Sequence, residues 1–485
     1  MRPVIFISLV VGLGLLISCK KDITSLNDNP KRPSEVPSAS LFANASVNLA
    51  DVMASTNVNT NNFRLFVQYW TETIYRDETR YNLNQRSIPD RWWDEFYRDV
   101  IKDLTEATAI VETETLSLTA EQIKNRKAIN EILICYSYYT LLTTFGDIPY
   151  SEALDINKMQ PAYDDAATVF GKVVERLNAA LANLDENAPG YGSSDLILND
   201  DIAQWKKFAN SLKLRMGILV ADVDASKAQT LITEAAPNVI ANNSENIMMH
   251  YLAAPPNTNP VWEELVQSGR HDFVAAKTIM DSLIVHNDPR KALFFDEAIT
   301  AGNGYAGQIP GLRATYNDFS APATRLSVPE FPHTFFSYAE MEFLKAEAIE
   351  RGFAIGGTAE EHYNNAIDAS IEEWGGTATE AQTYRQQAPI MYNGTADERM
   401  HKIALQSWIA LYNRGYDAWT VWRRLDYPSL EVPSGALFAT GEAPAVITRM
   451  TYPVVEQNLN KANYENASSK IGKDQITQKL WFDKY

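Results

Sequence analysis

The sequence has few cysteines, few histidines and no long apolar run beyond its N-terminus, and each shortage excludes a class of protein. Two cysteines among 485 residues cannot build a framework of several disulfides. Six histidines without an HExxH pattern provide no recognisable catalytic metal motif, and we predict neither a metal ion nor a cofactor. After residue 19 no stretch approaches the ~20 apolar residues of a membrane-spanning helix. A disulfide scaffold and a multi-span membrane protein are therefore excluded.

Positive charge is also scarce. Lysine and arginine total 43 against 61 aspartates and glutamates, so the formal net charge is −18. An acidic surface repels nucleic acid and anionic lipid, and we predict neither as a partner. The hydrophobic content of 45% and charged content of 21% are typical of a folded, soluble protein.

The N-terminus contains the one pronounced apolar segment. Arg2 precedes an apolar run over residues 4–17, and the sequence Leu16-Ile17-Ser18-Cys19 follows. A positive start, a short apolar run and small residues predict a cleaved secretory signal over residues 1–18. A cysteine directly after the cleavage point is the bacterial lipobox pattern, in which the thiol is acylated. We therefore predict lipid attachment at Cys19 and a polar, proline-punctuated tether over residues 19–40.

Helical periodicity dominates from about residue 41. Asp90 is the predicted N-cap of one helix, and apolar residues recur behind it at the spacing of a single buried helix face, from Trp93 to Leu104. Three predicted helix pairs follow, and a single long helix over residues 400–425 suggests a fourth unit; the three pairs are 129–145 with 166–184, 205–220 with 225–236, and 335–352 with 359–374. Small residues at the crossings resemble tetratricopeptide units, although the ~34-residue period is not kept. We predict an all-α helical-repeat domain over residues 41–485 with about four helix pairs.

The largest insertion between the pairs spans about residues 251–332 and is rich in proline, glycine, asparagine and aromatics. Loops of this length are usually functional, and we predict short helical stretches within it, such as residues 272–285. A sugar ring has apolar faces and polar edges, so aromatics beside amides and charges suit its recognition. The candidate ligand contacts are Trp262, Asn259, Arg270 and Tyr305 in the insertion, and Tyr81 before it. Core packing is the alternative for each aromatic, since large aromatics are mostly buried.

Catalytic patterns are weak. Residues 302–307 fit the dinucleotide fingerprint letter for letter, but no strand precedes them and Pro310-Gly311 prevents a following helix. Adjacent carboxylates such as Glu372-Glu373 are interpreted as surface charges. Glu263-Glu264 lies in the insertion and keeps a surface glycoside hydrolase as an alternative, although neighbours on one helix rarely face one substrate. We predict that the protein is not an enzyme.

Several motifs, taken together and in order, resemble the SusD/RagB outer-membrane lipoproteins of the Bacteroidetes, and most closely the second large branch of that family. Besides the lipobox they are residues 145–154 (FGDIPYSEAL), 205–215 (WKKFANSLKLR), 287–290 (NDPR), 338–348 (YAEMEFLKAEA), 408–428 and 480–483 (LWFD).

The resemblance implies an all-α fold with four tetratricopeptide-like pairs. It also implies a lipid-anchored protein on the cell exterior that forms a lid on a SusC-like TonB-dependent transporter. Such proteins capture oligosaccharides, or peptides in some branches, and do not catalyse. The shared motifs belong to the scaffold, and Arg215 and Arg423 are interpreted as buried or interface pairs. No binding residue is carried over, because the family's ligand contacts lie in variable loops.

Overall fold

The structure is a computed structural model that describes residues 36–114 and 117–484. The predicted signal peptide, Cys19 and the tether as far as residue 35 lie outside the described residues. Within the described part of the chain, no helix is both long and apolar enough to cross a membrane. From Ser38 onward the described residues form one compact unit.

Helices provide most of the regular structure. The α-helices are α1 (Ser38–Ala54), α2 (Phe63–Phe66), α3 (Ile88–Asp94), α4 (Lys102–Val111), α5 (Ala120–Phe145), α6 (Ala166–Asn183), α7 (Ile202–Leu219), α8 (Ala225–Ala235), α9 (Pro260–Trp262), α10 (Lys277–Val285), α11 (Lys291–Phe294), α12 (Tyr338–Glu350), α13 (Ala359–Glu373), α14 (Ala378–Arg385), α15 (Ala396–Ala410), α16 (Gly415–Leu425), α17 (Val454–Leu459) and α18 (Lys461–Lys470). Two π-helical turns, Glu95–Ile101 and Glu263–Gln267, continue α3 and α9.

Strands are short and join distant parts of the chain. They are β1 (Trp70–Glu72), β2 (Ile148–Pro149), β3 (Tyr163–Asp164), β4 (Ile247–Met249), β5 (Phe273–Ala275) and β6 (His333–Phe336). They form three antiparallel pairs among the described residues, β1–β5, β2–β3 and β4–β6. The predicted all-α class is confirmed, because these pairs fasten loops and build no sheet layer.

The predicted helix pairs are present. α5 packs on α6, α7 on α8, and α12 on α13. The prediction of one helix over residues 400–425 is wrong, because the chain breaks between α15 and α16, where Asn413 has a φ of +70°. Gly415 opens α16 against the backbone of α2, where an added Cβ would lie 2.4 Å from the amide nitrogen of Arg64. The two helices pack on each other and form the fourth pair.

Asp90 stabilises a different helix from the one predicted. It lies in the first turn of α3, whose N-cap position is Ser87. Its carboxylate accepts hydrogen bonds from the amides of Val454 and Val455, at 3.1 and 2.9 Å. These amides open α17 and have no partner within their own helix, so Asp90 caps α17 across a long chain separation.

The prediction of helix over residues 272–285 also needs correction. Its first part, Phe273–Ala275, is strand β5, and only Lys277–Val285 is helical. The apolar run Phe273-Val274-Ala275 pairs with β1 and is buried, so tertiary pairing decides its conformation.

A buried ion network joins three of the long helices. Arg215 of α7 contacts Glu340 of α12 at 2.7 Å and Asp417 of α16 at 3.0 Å. Arg414 pairs with the same two carboxylates. Two guanidinium groups and two carboxylates thus balance inside the core, and the interpretation of Arg215 as a buried pair is confirmed. Removing one member would leave an unpaired buried charge.

Arg423 is also buried, but its partners are not carboxylates. It stacks on Trp419 at 3.5 Å and donates to the carbonyl oxygen of Thr448 at 3.1 Å. Burial lowers its pKa to about 10. Arg423 therefore ties α16 to the C-terminal segment through carbonyl oxygens.

Candidate ligand-binding surface

The β1–β5 pair brings three loop segments together. Glu72 lies opposite Phe273 at the end of the pair. Beyond it, the amide of Thr73 donates to the carbonyl of Asp272 at 2.8 Å, and the carbonyl of Thr73 accepts from the amide of Ala314 at 3.1 Å. The segment after β1 is therefore held between two parts of the large insertion.

Tyr75 projects from the centre of this junction. It is 72% exposed, which makes it the most exposed phenylalanine, tryptophan or tyrosine among residues 36–114 and 117–484. Its φ of +53° places it in the left-handed region, which costs a residue with a side chain about 1–3 kcal/mol. The surrounding contacts hold this conformation and present the ring to solvent.

Two further rings lie on the adjoining segments. His271 precedes Asp272 and is exposed, and its ring centroid lies 5.8 Å from that of half-buried Tyr316 in an edge-on arrangement. Both are within two residues of the backbone hydrogen bonds that hold the segment before Tyr75. We call Tyr75, His271, Tyr316 and the neighbouring Arg76 and Arg313 the Tyr75 surface.

A buried carboxylate network fixes the base of the Tyr75 loop. Glu72 accepts hydrogen bonds from the amide and hydroxyl of Thr79, at 3.1 and 2.9 Å, and from Arg270 at 3.0 Å. Arg270 also binds Asp272 at 2.5 Å. Glu78 is fully buried and pairs with Arg86 at 3.0 Å. Both ends of the loop are therefore attached to buried charges.

The two glutamates of this network hold protons more tightly than usual. Burial, followed by the charge of Glu78, raises the pKa of Glu72 to about 8. Burial also raises the pKa of Glu78. Two carboxylates in one desolvated site cannot both ionise readily, so the network favours a single shared charge facing Arg270.

A basic rim borders the loop. Arg76 and Arg80 both donate to the carbonyl oxygen of Gly311 at 3.0 Å, and Arg80 also donates to that of Ser434 at 3.1 Å. Gly311 has a φ of +81°, and an added Cβ would lie 2.3 Å from the carbonyl oxygen of Ser434. Burial and the charges of Arg80 and Arg313 lower the pKa of Arg76, which agrees with a cluster of guanidinium groups. The rim offers hydrogen-bond donors beside exposed rings, an arrangement that suits a flat ligand with apolar faces and polar edges.

The structure places one of the sequence-predicted residues, Arg270, beneath this surface and another, Tyr81, in the core. Arg270 is half-buried, lies over the ring of Phe273 at 4.3 Å and supports the Tyr75 loop through Glu72. Tyr81 is only 4% exposed, and its ring lies between those of Phe66 and Phe438. Its ring is used in the core and offers no face to a ligand, which corrects its selection as a contact.

The other predicted residues lie elsewhere in the insertion. Asn259 is 1% exposed and caps α9 through a 2.6 Å hydrogen bond from the amide of Val261. Trp262 is half-buried at the end of α9. Tyr305 is half-buried, with the ammonium group of Lys291 4.8 Å from its ring centre. The structure thus joins only Arg270 to the surface that contains Tyr75.

The sequence does contain a signal for Tyr75, although a search for aromatic residues in the large insertion does not find it. Tyr75 stands three residues after the buried strand β1, and the charged residues Arg76 and Asp77 follow it directly. An aromatic residue in a polar turn after a buried strand has no helix face to pack on. The absence of helical periodicity around Tyr75 distinguishes it from the core aromatics. It does not reveal which distant residues, such as His271 and Tyr316, share its surface.

Comparison with solved structures defines the class of protein. A SusD homolog from Bacteroides uniformis has a TM-score of 0.79 and 24% identity over 92% of this chain and 99% of its own. A chitin-binding SusD homolog from Flavobacterium johnsoniae has a TM-score of 0.78 and 23% identity over 92% of this chain and 98% of its own. The fold is therefore that of the SusD homologs, a class of all-α proteins.

The family follows from the sequence match. The SusD-like_2 family model, described as "Starch-binding associating with outer membrane", matches residues 30–453. The chain belongs to this family. No curated protein matches the chain significantly in sequence.

Proposed function

We propose that this protein captures an oligosaccharide at the outer membrane and that the Tyr75 surface makes the main contact. The family description names starch binding and association with the outer membrane, and two similar solved structures are described as chitin-binding. These names concern relatives, and they support a glycan as the ligand class of this chain.

The observation that carries the proposal is the exposure of Tyr75. A ring that is 72% exposed, in a strained conformation fixed by buried charges, contributes little to packing. A flat aromatic face can stack on the C–H face of a sugar, while Arg76 and Arg313 supply donors for hydroxyl groups. Because the loop is already fixed, binding costs little ordering entropy.

The proposal includes a membrane anchor and a partner. Cys19 would be acylated and would hold the mature chain at the outer membrane, facing the cell exterior. The ligand would then pass to a SusC-like TonB-dependent transporter. Tethering both proteins to one membrane raises their effective concentration, so a weakly binding surface can still supply the transporter.

Binding without turnover is part of the proposal. The carboxylate of Glu263 accepts from Thr258 at 2.6 Å, and that of Glu264 accepts from Asn57 at 2.8 Å. These hydrogen bonds give each glutamate a structural role on the π-helical turn. A glycoside hydrolase would instead need two carboxyls facing one scissile bond.

The proposed ligand class can be tested by binding assays on the soluble protein that begins after Cys19. Affinity electrophoresis in starch and glycol-chitin gels, paired with calorimetric titration of chitin and malto-oligosaccharides, should reveal saturable binding. Tyr75→Ala should weaken it and Tyr75→Phe should retain it. Ile156→Ala, on a different loop and 85% exposed, is the matched control and should bind like the wild type. Binding of peptides alone, or hydrolysed product with pure protein, would contradict the proposal.

The anchor and partner are tested in cells. Cys19→Ala should release the protein from the outer-membrane fraction, and the wild type should co-purify with a SusC-like TonB-dependent transporter. A Cys19→Ala protein that stays membrane-bound, or a transporter that never co-purifies after cross-linking, would contradict this part of the proposal.

A further inference from the structure

A second candidate site is formed by residues outside the Tyr75 surface. It is a cavity of about 500 Å³ between the β4–β6 pair, the C-terminal end of α13 and the turn that joins α15 to α16. Small-molecule sites commonly have volumes of about 300–1,000 Å³. None of the residues that line it belongs to the Tyr75 surface. Its lining includes Met248, Phe331, His333, Glu373, Trp374 and Arg414.

Three polar groups of the lining lack partners among the described residues. His333 is 6% exposed, and its Nε2 is buried without a hydrogen bond. The Oδ1 of Asn243 is also buried without one. Glu373, interpreted from the sequence as a surface charge, is half-buried, and within residues 36–114 and 117–484 its carboxyl group makes no hydrogen bond or ion pair. Buried polar groups are rarely left unpaired, because each costs about 1–3 kcal/mol.

The arginine side chains that line the cavity already have protein partners. Arg414 is paired with Glu340 and Asp417, and it also donates to the carbonyl oxygen of Phe335 at 3.0 Å. Arg325 donates to the carbonyl oxygen of Trp374. No guanidinium group of the lining is therefore without a protein partner in the described chain.

Burial shifts the two titratable groups among the three, Glu373 and His333, toward their neutral forms. Burial raises the pKa of Glu373 to about 7, although the charge of Arg414 opposes the rise. Burial, together with Arg414, Arg64 and Arg215, holds the pKa of His333 well below its usual value. The guanidinium groups are already paired, so an anionic ligand would find no free cation beside Glu372, and a cationic ligand would lie near the two arginines. A neutral ligand avoids both penalties.

The apolar wall of the cavity is rigid. The ring of Trp374 packs against those of Phe294, Tyr412 and Phe331, with centroid distances of 4.7, 5.6 and 6.1 Å. The hydroxyl of Tyr412 accepts from the indole of Trp70 at 2.9 Å and donates to the carbonyl of Phe294 at 3.0 Å. A wall fixed by these contacts is preorganised for a ligand.

We propose that this cavity binds a small neutral molecule that bears several hydroxyl groups and has the size of a single sugar ring. Its apolar face would lie against Trp374 and Phe331. Its hydroxyl groups would bind the carboxyl group of Glu373 and, after a small shift of the two side chains, the unpartnered atoms of His333 and Asn243. The inference goes beyond capture at the Tyr75 surface and holds whether or not that surface binds glycans.

The test titrates the soluble chain with glucose, galactose, mannose and N-acetylglucosamine, one at a time, by calorimetry and tryptophan fluorescence. At least one should bind saturably at millimolar concentration. Ser244 lines the cavity and is exposed, so Ser244→Trp should block access without disturbing the core and should weaken binding at least tenfold. Glu373→Gln keeps the shape and a neutral group and should retain binding.

Tyr75→Ala separates the two sites, since it should leave monosaccharide binding unchanged while it weakens oligosaccharide binding. Absence of saturable binding for all four sugars would overturn the inference. So would binding that Ser244→Trp leaves intact, binding that Tyr75→Ala removes, or tighter binding of charged glucosamine or glucuronate.

Discussion

The Tyr75 surface and the cavity beside Trp374 contain similar chemical groups in opposite settings. In the first, an exposed ring stands on loops that buried carboxylates fasten from below. In the second, a buried ring lies between helices whose spacing is set by the network of Arg215, Glu340 and Arg414. The comparison shows that one helical scaffold can support a broad, open contact and a small, enclosed one by different means.

The largest expected effect concerns the scaffold behind the cavity. Glu340→Ala leaves Arg215 and Arg414 with only Asp417 as a shared partner, so one buried positive charge is uncompensated and we expect the free energy of unfolding to fall by about 3–5 kcal/mol. Urea denaturation measures this change. Glu330→Ala, at an exposed carboxylate, is the control and should stay within about 0.5 kcal/mol of the wild type. Equal losses in both variants would show that the buried network stabilises the fold no more than an exposed carboxylate does.

The next effect concerns the base of the Tyr75 surface and depends on pH. The folded state retains a proton on Glu72 up to about pH 8, whereas the unfolded chain releases it near 4.5. Between these two pH values the folded state binds more protons than the unfolded chain. Glu72 therefore makes the free energy of unfolding fall as pH rises from about 4.5 to about 8. The fall is at most about 1.4 kcal/mol per pH unit.

The variant Glu72→Gln isolates this contribution. Its stability relative to the wild type should increase from pH 5 to pH 8, because glutamine has no proton to lose. Urea midpoints across that range measure the difference, and Glu78 remains in both proteins. A constant difference between the two proteins would show that Glu72 is ionised throughout.

A smaller effect is expected on ligand affinity. Loss of a stacking ring in Tyr75→Ala should cost about 1 kcal/mol of binding free energy, or roughly fivefold in Kd. Stability should change by less than about 0.5 kcal/mol, because the ring is 72% exposed. Calorimetric titration and thermal unfolding of the same preparation separate the two quantities. A large fall in Tm would mean that Tyr75 serves packing after all.

The smallest effect is expected at Trp262. Its ring is half-buried at the end of α9, and a partly covered ring offers less area to a ligand. Trp262→Ala should therefore reduce oligosaccharide affinity by less than Tyr75→Ala does, in the same titration. The reverse order would move the main contact to the region around α9.

Local sequence patterns predicted most of the helical scaffold. They predicted little of the Tyr75 surface or of the cavity beside Trp374. Helix pairs such as α12 and α13 follow from apolar spacing within each helix, which sequence displays directly. The break before Gly415 was missed because it depends on the close approach of α2, far away in the chain. Tyr81 and Tyr75 are both tyrosines in one short segment, yet one is buried and the other exposed. Tyr81 packs on Phe438, whereas Tyr75 follows a segment that the hydrogen bond between Thr73 and Asp272 holds in place, and no local pattern reveals either contact.

The sequence by itself determined the helical class, the pairing of helices, the acidic character and the family resemblance, because these depend on composition, periodicity and ordered motifs. Tertiary structure alone decided which aromatic rings face solvent and which carboxylates are desolvated. Glu372 is exposed, whereas the adjoining Glu373 is half-buried and its pKa is raised, because folding brings the end of α13 against the turn at Arg414. Exposure and electrostatic environment belong to the assembled molecule, since both depend on residues that are distant in sequence.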